Sequence, residues 1–172
     1  MRIRVGTQCI VSLLKPIYNS IMISIRDAVA SDVDSIMSLI KELALYEKSP
    51  ESVANNSETM LRDGFGSAPS FKAFIAEKEN KIIGMALCYY AYSTWKGKYI
   101  YLDDLIVTES ERRSGAGKLL FDKIVEYAKS VDAMQLRWHV LNWNRPAITF
   151  YENYPCTFDD EWITCKIEKE NL

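Results

Sequence analysis

The segment from Tyr99 to Leu120, YIYLDDLIVTESERRSGAGKLL, constrains the fold more than any other part of the chain. It opens as an apolar run suited to a buried strand, yet Asp103 and Asp104 stand in its middle. It becomes a turn with paired arginines and glycines at 115 and 117. It then continues as an amphipathic helix, with Leu120, Ile124, Ala128 and Val131 on one stripe. A strand that turns directly into such a helix calls for a sheet with helices packed on it. The turn also has chemistry. Glycine frees the backbone for tight or left-handed geometry, and a helix N-terminus presents N–H groups and a positive dipole end to an anion. Arg112, Arg113 and Lys118 add charge, so the turn reads as a pyrophosphate cradle. A Walker loop does not fit, because its earlier glycine is absent and Leu119 follows Lys118. A dinucleotide fingerprint does not fit either, because position 120 is leucine. The plain alternative is a tight strand-to-helix turn with solvated arginines.

The two aspartates pose a separate problem. Successive strand residues point to opposite faces, so Asp103 and Asp104 cannot serve one site alike unless a bulge intervenes. Buried carboxylates are costly unless paired. The plain reading has both acids bonded to nearby backbone or to Lys or Arg. The functional one has a carboxylate in a cleft attract a cation and accept its proton, directly or through water.

Along the rest of the chain, ISIRDA (23–28) reads as a short strand. Ser31 with Asp34 resembles a capping box, and Ile36, Leu39, Ile40, Leu43 and Ala44 repeat at helical spacing up to about YEKSP. A second helix is expected over 56–63, stopping at DGFG. FKAFIAE and KIIGMALCYYAY are strands joined at Glu79–Asn80, a hairpin signal. AMQLRWHVL reads as a strand, NRPAITFYENY as a helix with Pro146 in its first turn, and EWITCKIE as a last strand. The order predicts an α/β or α+β fold, a mixed sheet flanked by helices.

With 172 residues, 48% hydrophobic and 26% charged, the chain has the composition of one globular domain. A net charge of −2 with no dominant basic patch counts against nucleic acid as a partner. No apolar run is long enough to span a membrane. Four scattered cysteines without a C-x-x-C pair argue against a disulfide framework or zinc site and for a reducing cytoplasm. One histidine, His139, excludes histidine-rich metal sites, and no metal is expected. Residues 1–22 carry Arg2, Arg4 and Lys15 and no acid. They read as an N-terminal extension, with Met22 a candidate start and 23–172 the domain.

R-x-x-G-x-G/A after a central strand is the signature of the GNAT superfamily of N-acetyltransferases, and RRSGAG fits it. More narrowly, LIKELALYEK, LRDGFG, YLDDLIV and WNRPAITFY resemble the spermidine/spermine (diamine) and thialysine acetyltransferase branch. The resemblance implies a mostly antiparallel central sheet flanked by helices, and transfer of acetyl from acetyl-CoA to a small primary amine: a polyamine, a diamine or a lysine-like amino acid. It implies cofactor contacts from Leu105, Ile106 and Val107, from Arg112, Arg113, Ser114, Gly115, Ala116, Gly117 and Lys118, and from Asn144, Arg145, Pro146 and Ala147. Tyr151 would stand by the thioester sulfur and protonate the thiolate. Tyr46, Glu47, Asp103, Trp138 and His139 would face the amine, with Asp103 as the catalytic carboxylate. A homodimer is implied as well. The sequence departs from the pattern in ENYPCTF, which lacks the usual glycine turn, and in Asp103, one methylene shorter than the glutamate of the polyamine enzymes. Acetylation of protein lysines or N-termini, and acyl-CoA binding without turnover, are the rival readings.

Overall fold

The computed structural model describes residues 22–172, so the N-terminal extension lies, except for Met22, outside the described residues. Two compact units divide the chain, the first ending at Trp138 and the second running from His139 to Leu172.

The first unit holds a five-stranded sheet in the order β1-β2-β3-β4-β5. Its strands are β1 (Ser24–Asp27), β2 (Lys72–Lys78), β3 (Lys81–Ser93), β4 (Gly97–Val107) and β5 (Leu136–Arg137). All neighbours are antiparallel except β4 and β5, which run parallel. Glu79 and Asn80 join β2 to β3 with φ of 53° and 61°, the positive pair that a two-residue hairpin turn requires. The helices of this unit are α1 (Val33–Tyr46), α2 (Ser57–Phe65) and α3 (Ala116–Ser130).

Strand alternation sorts the core into two layers. Ile36, Met37 and Leu39 of α1 and Met60 of α2 pack against Ile75, Met85, Leu87 and Ile106. On the other face lies α3, whose Leu120, Phe121 and Ile124 are fully buried. Phe74 meets Tyr127 of α3 edge-on there, with ring centroids 5.6 Å apart.

Two local expectations are corrected in this unit. The residue that caps the entry to α1 is Asp32 rather than Ser31 or Asp34. Its carboxylate accepts the Val29 N–H at 2.9 Å and two guanidinium bonds from Arg26 at 2.6 and 3.0 Å. Arg26 also donates Nε to Glu77 at 2.9 Å, so one cation is shared by two acids. Asp34 instead accepts the Ser57 hydroxyl at 2.7 Å and ties α1 to α2. The second helix ends within DGFG as expected, at Phe65. Gly64 packs closely there, since a Cβ on it would lie 2.0 Å from Phe71 Cζ. The strand expected over AMQLRWHVL shrinks to two residues, paired as Ile100↔Leu136 and Tyr101↔Arg137, and β4 bulges two residues after Tyr101.

The second unit contains α4 (Arg145–Tyr151). Asn144 caps it, accepting the Ala147 N–H at 3.3 Å, and Pro146 sits in the first turn as expected. The expected last strand, EWITCKIE, is not one. The segment has no regular structure and is exposed, with Trp162 at 78% and Ile163 at 89% of full exposure. Among the described residues it has no ladder partner, and β-forming residues without a partner do not make a strand.

Candidate active site

The bulge that the two aspartates require is present. The β3–β4 register steps from Leu87↔Asp104 directly to Cys88↔Leu102, leaving Asp103 as the extra residue. This rephases the strand. Tyr101 opposes Tyr89, and Asp104 opposes Leu87, so all four residues lie on the sheet face covered by α1 and α2. Asp103 sits exposed at the bulge, close enough to Tyr89 and Tyr101 to act on both electrostatically. The Tyr89 and Tyr101 rings stack at 5.2 Å. Burial first, and the neighbouring charges second, push the Tyr101 hydroxyl up to about 12.

Asp104 is the residue the resemblance left out of the site. Burial is the main cause that pushes its carboxyl up to about 7, and the negative charges of Asp103 and Glu47 raise it further. Glu47 follows the last residue of α1, and desolvation raises its carboxyl too. Three acids from two elements therefore meet. An acid that titrates near neutrality can accept a proton at the pH where an amine must lose one. The signal for Asp104 was present in the sequence as the adjacent acid, but only the register shift puts it on the face covered by α1 and α2.

The β4 end carries Leu105, Ile106 and Val107. Ile106 is buried in the α1–α2 core, while Leu105 and Val107 are half-buried. Among the described residues, β5 pairs with β4 only at Ile100 and Tyr101. Beyond the bulge the outer edge of β4 therefore has no strand beside it among the described residues. A short 3-10 turn, Glu109–Glu111, then leads into the glycine loop.

In that loop Arg113 has φ 65° and Gly115 φ 94°. A Cβ on Gly115 would meet no atom within 4 Å, so glycine is needed there for its left-handed backbone rather than for space. Gly115 is the N-cap of α3 and supplies no side chain to cap it, and the first turn holds no acid. Ser114 Oγ accepts the Ala116 N–H at 3.4 Å, and Ala116 is buried. A Cβ on Gly117 would stand 3.8 Å from Val107 Cγ2, an ordinary contact. This arrangement suits an anion: N–H groups at a helix start, glycine backbone and cations. The cations differ in role. Lys118 pairs with Asp122 at 2.5 Å one turn on. Arg112 stacks on Tyr46, 4.7 Å from its ring centre, and donates Nε to the Val107 carbonyl at 3.3 Å. Arg113 is exposed.

Other expected site residues separate by face. Arg137 lies over Tyr99 at 4.5 Å, on the carboxylate side of the sheet. Trp138 packs edge-on against Phe121 of α3 at 5.2 Å, the opposite side, and so is not brought to the acids. In the second unit His139, Arg145 and Pro146 are exposed, and Asn144 and Ala147 are half-buried. Tyr151 is buried, and its hydroxyl is pushed up from the ordinary value, first by burial and then by Tyr154 and Cys156. It is therefore fully protonated at neutral pH. The Cys156 thiol donates to the Tyr151 carbonyl at 3.3 Å, so the YPCT turn folds back on the helix end without a glycine.

The site joins a bulged, acid-bearing central strand to a glycine turn and a helix N-terminus. The model of the acetyltransferase (GNAT) family matches residues 34–154, and the chain belongs to that family. It is an acetyl-CoA-dependent N-acetyltransferase. It is 37% identical over 138 residues to thialysine N-epsilon-acetyltransferase of Bos taurus, covering 76% of this chain and 81% of that one. It is 30% identical over 158 residues to spermidine/spermine N(1)-acetyltransferase-like protein 1 of Homo sapiens, covering 86% of this chain and 23% of that one. Among solved structures, a metagenomic aminoglycoside acetyltransferase in complex with trehalose superposes with a TM-score of 0.71 at 19% identity. That match covers 85% of this chain and 95% of the other, and it speaks to fold alone. Among the described residues no helix is long and apolar enough to cross a membrane.

Proposed function

We propose that the acceptor is the primary amine of a small cationic molecule, a polyamine, diamine or lysine-like amino acid, acetylated by direct attack in a ternary complex. The observation that carries this reading is the register shift at Asp103, which turns Asp104 to the α1–α2 face, where the charges of Asp103 and Glu47 act on it. Three acids at one place suit a cation with more than one charge. The names of the relatives, thialysine and spermidine/spermine acetyltransferases, support the same substrate class.

In this reading Glu47 and Asp103 attract the cation, beside the Tyr46 ring. Asp103 or Asp104 takes the ammonium proton, directly or through water, and the neutral nitrogen attacks the thioester carbonyl. Acetyl-CoA supplies the activated acyl group. Its pyrophosphate is held by the N–H groups and cations from Arg113 to Lys118. The open edge of Leu105 to Val107 and the stretch Asn144 to Ala147 hold the rest. The Tyr151 hydroxyl gives its proton to the departing thiolate. The thiol's own pKa near ~8.5 makes that a modest requirement. The protein acts as a homodimer in the cytoplasm. A panel of amines assayed for release of free thiol from acetyl-CoA tests the substrate class. Faster turnover of diamines and lysine analogues than of neutral-tailed monoamines supports it. Turnover confined to peptide amines would replace it with protein acetylation.

A further inference from the structure

Glu42 lies one helical turn before Tyr46 on α1 and contributes nothing to the chemistry described above, yet both its carboxylate oxygens are engaged. Oε2 accepts the Thr108 hydroxyl at 2.8 Å, and Oε1 accepts the Glu109 N–H at 2.7 Å. Thr108 is the N-cap of the 3-10 turn Glu109–Glu111, but its hydroxyl caps nothing locally. The cap is supplied instead by Glu42, from 67 residues away in sequence. A carboxylate on the N–H at the start of a helical turn is a charge-assisted contact, stronger than a neutral one.

A second contact repeats this one turn further along both segments. Four residues after Glu42, Tyr46 takes the Arg112 guanidinium on its face at 4.7 Å, four residues after Thr108. Arg112 in turn holds the Val107 carbonyl. The far side of the same short turn is pinned by Lys78 to Glu111 at 2.8 Å. The C-terminal end of α1 and the strand-to-loop segment 107–112 are thus laced together by two side chains at helical spacing. One segment carries Glu47 of the acid cluster. The other leads straight into Arg113 and Gly115 of the anion cradle.

We propose that Glu42 is a positioning residue for acetyl transfer: by capping the turn at Thr108–Glu109 it sets the donor cradle in register with the amine-binding end of α1. The inference rests on the donor site proposed above at the 113–118 loop. A small misplacement of two reactants costs rate even when both still bind. Loss of this cap therefore moves turnover as well as donor affinity.

The experiment compares Glu42→Ala, Glu42→Gln and Thr108→Val with the wild type and with Asp34→Ala. Asp34→Ala removes the α1–α2 bond to Ser57 and serves as a control for loss of an α1 contact elsewhere. CoA affinity is read by calorimetry, and the turnover number by thiol release at saturating donor and amine. Folding is read by thermal melting. Glu42→Ala is expected to weaken CoA about tenfold, the scale of one charged hydrogen bond, and to lower saturated turnover by a similar factor. Glu42→Gln keeps one acceptor oxygen, so it recovers part of both losses, and Thr108→Val falls between Gln and wild type. Asp34→Ala lowers the melting temperature without moving CoA affinity or turnover. The inference is overturned if the folded Glu42 and Thr108 variants keep wild-type CoA affinity and turnover. It is also overturned if Asp34→Ala reproduces their kinetic losses, since the effect would then be stability alone. Should Glu42→Ala fail to fold, Gln and Thr108→Val decide on the same criteria. A wild type that binds no CoA, or binds it with no dependence on the 113–118 loop, refutes the donor-site reading instead.

Discussion

Asp104 is held in the folded protein at a cost, and the direction of that cost is testable. Its folded value near 7 lies above the ordinary 3.8, so the native state keeps a proton that the unfolded chain releases. Stability contributed by the protonated form is complete below about pH 4 and falls as pH rises through 7. The shift corresponds to at most about 4 kcal/mol at pH 8. Asp104→Asn removes the charge and keeps the shape. It should melt at a higher temperature than the wild type at pH 8, with the gap closing near pH 4, while thiol release falls. Equal melting temperatures at both pH values would mean that Asp104 is well solvated. Tyr151 makes the complementary case. Tyr151→Phe keeps the buried ring, so its melting temperature should barely change. Loss of a positioned acid is worth about 10² to 10⁴ in rate, and a thiol leaving group places the expected fall at the low end. A small change in the acetyl-CoA Michaelis constant should accompany it. Near-normal turnover would assign the protonation to solvent.

At the scale of elements, the turn into α3 separates backbone demand from space. Gly115 has φ 94°, whereas a Cβ on Gly117 would make only an ordinary contact with Val107. Gly115→Ala should destabilise the fold by about 1 to 2 kcal/mol through its left-handed backbone. Gly117→Ala should leave the fold nearly unchanged, as read by denaturant midpoints. Reversal of that order would place the strain elsewhere. The central elements were legible because their signals are local. Runs of β-forming residues mark β2 and β3, Glu79–Asn80 marks the turn between them, and the 3.6-residue stripe marks α3. Elements that depend on a neighbour were not. Among the described residues β5 pairs over two residues only and Glu161 to Glu168 lack a partner strand, facts that no window of residues contains. The bulge itself was legible only as a condition: two adjacent acids on one strand could share a face if one residue were inserted. The Glu42 contact, across 67 residues, left no sequence signal at all.

For the whole molecule, two acids oppose each other in pH. Asp32 is held below the usual carboxylate range, first by its hydrogen bond to Arg26. Its contribution is present above the unfolded value and is lost as pH falls through the lowered one. Asp104 loses stability in the other direction. The chain without acceptor should therefore be most stable in weakly acidic solution, and a bound polycation should extend that stability toward neutral pH by favouring ionised Asp104. A melting-temperature profile from pH 3 to 9, with and without spermidine, reads both limbs; a flat profile unaffected by spermidine would remove the acid cluster from the account. The central claim is that this cluster selects and deprotonates a cationic amine for acetylation. Its most direct measurement is the pH dependence of thiol release from acetyl-CoA, at limiting amine, for a diamine and for a monoamine of equal length. The account predicts a diamine advantage that grows as pH rises through about 7, and its loss in Asp104→Asn. Equal rates for the two amines across that range, unchanged by the substitution, would contradict it.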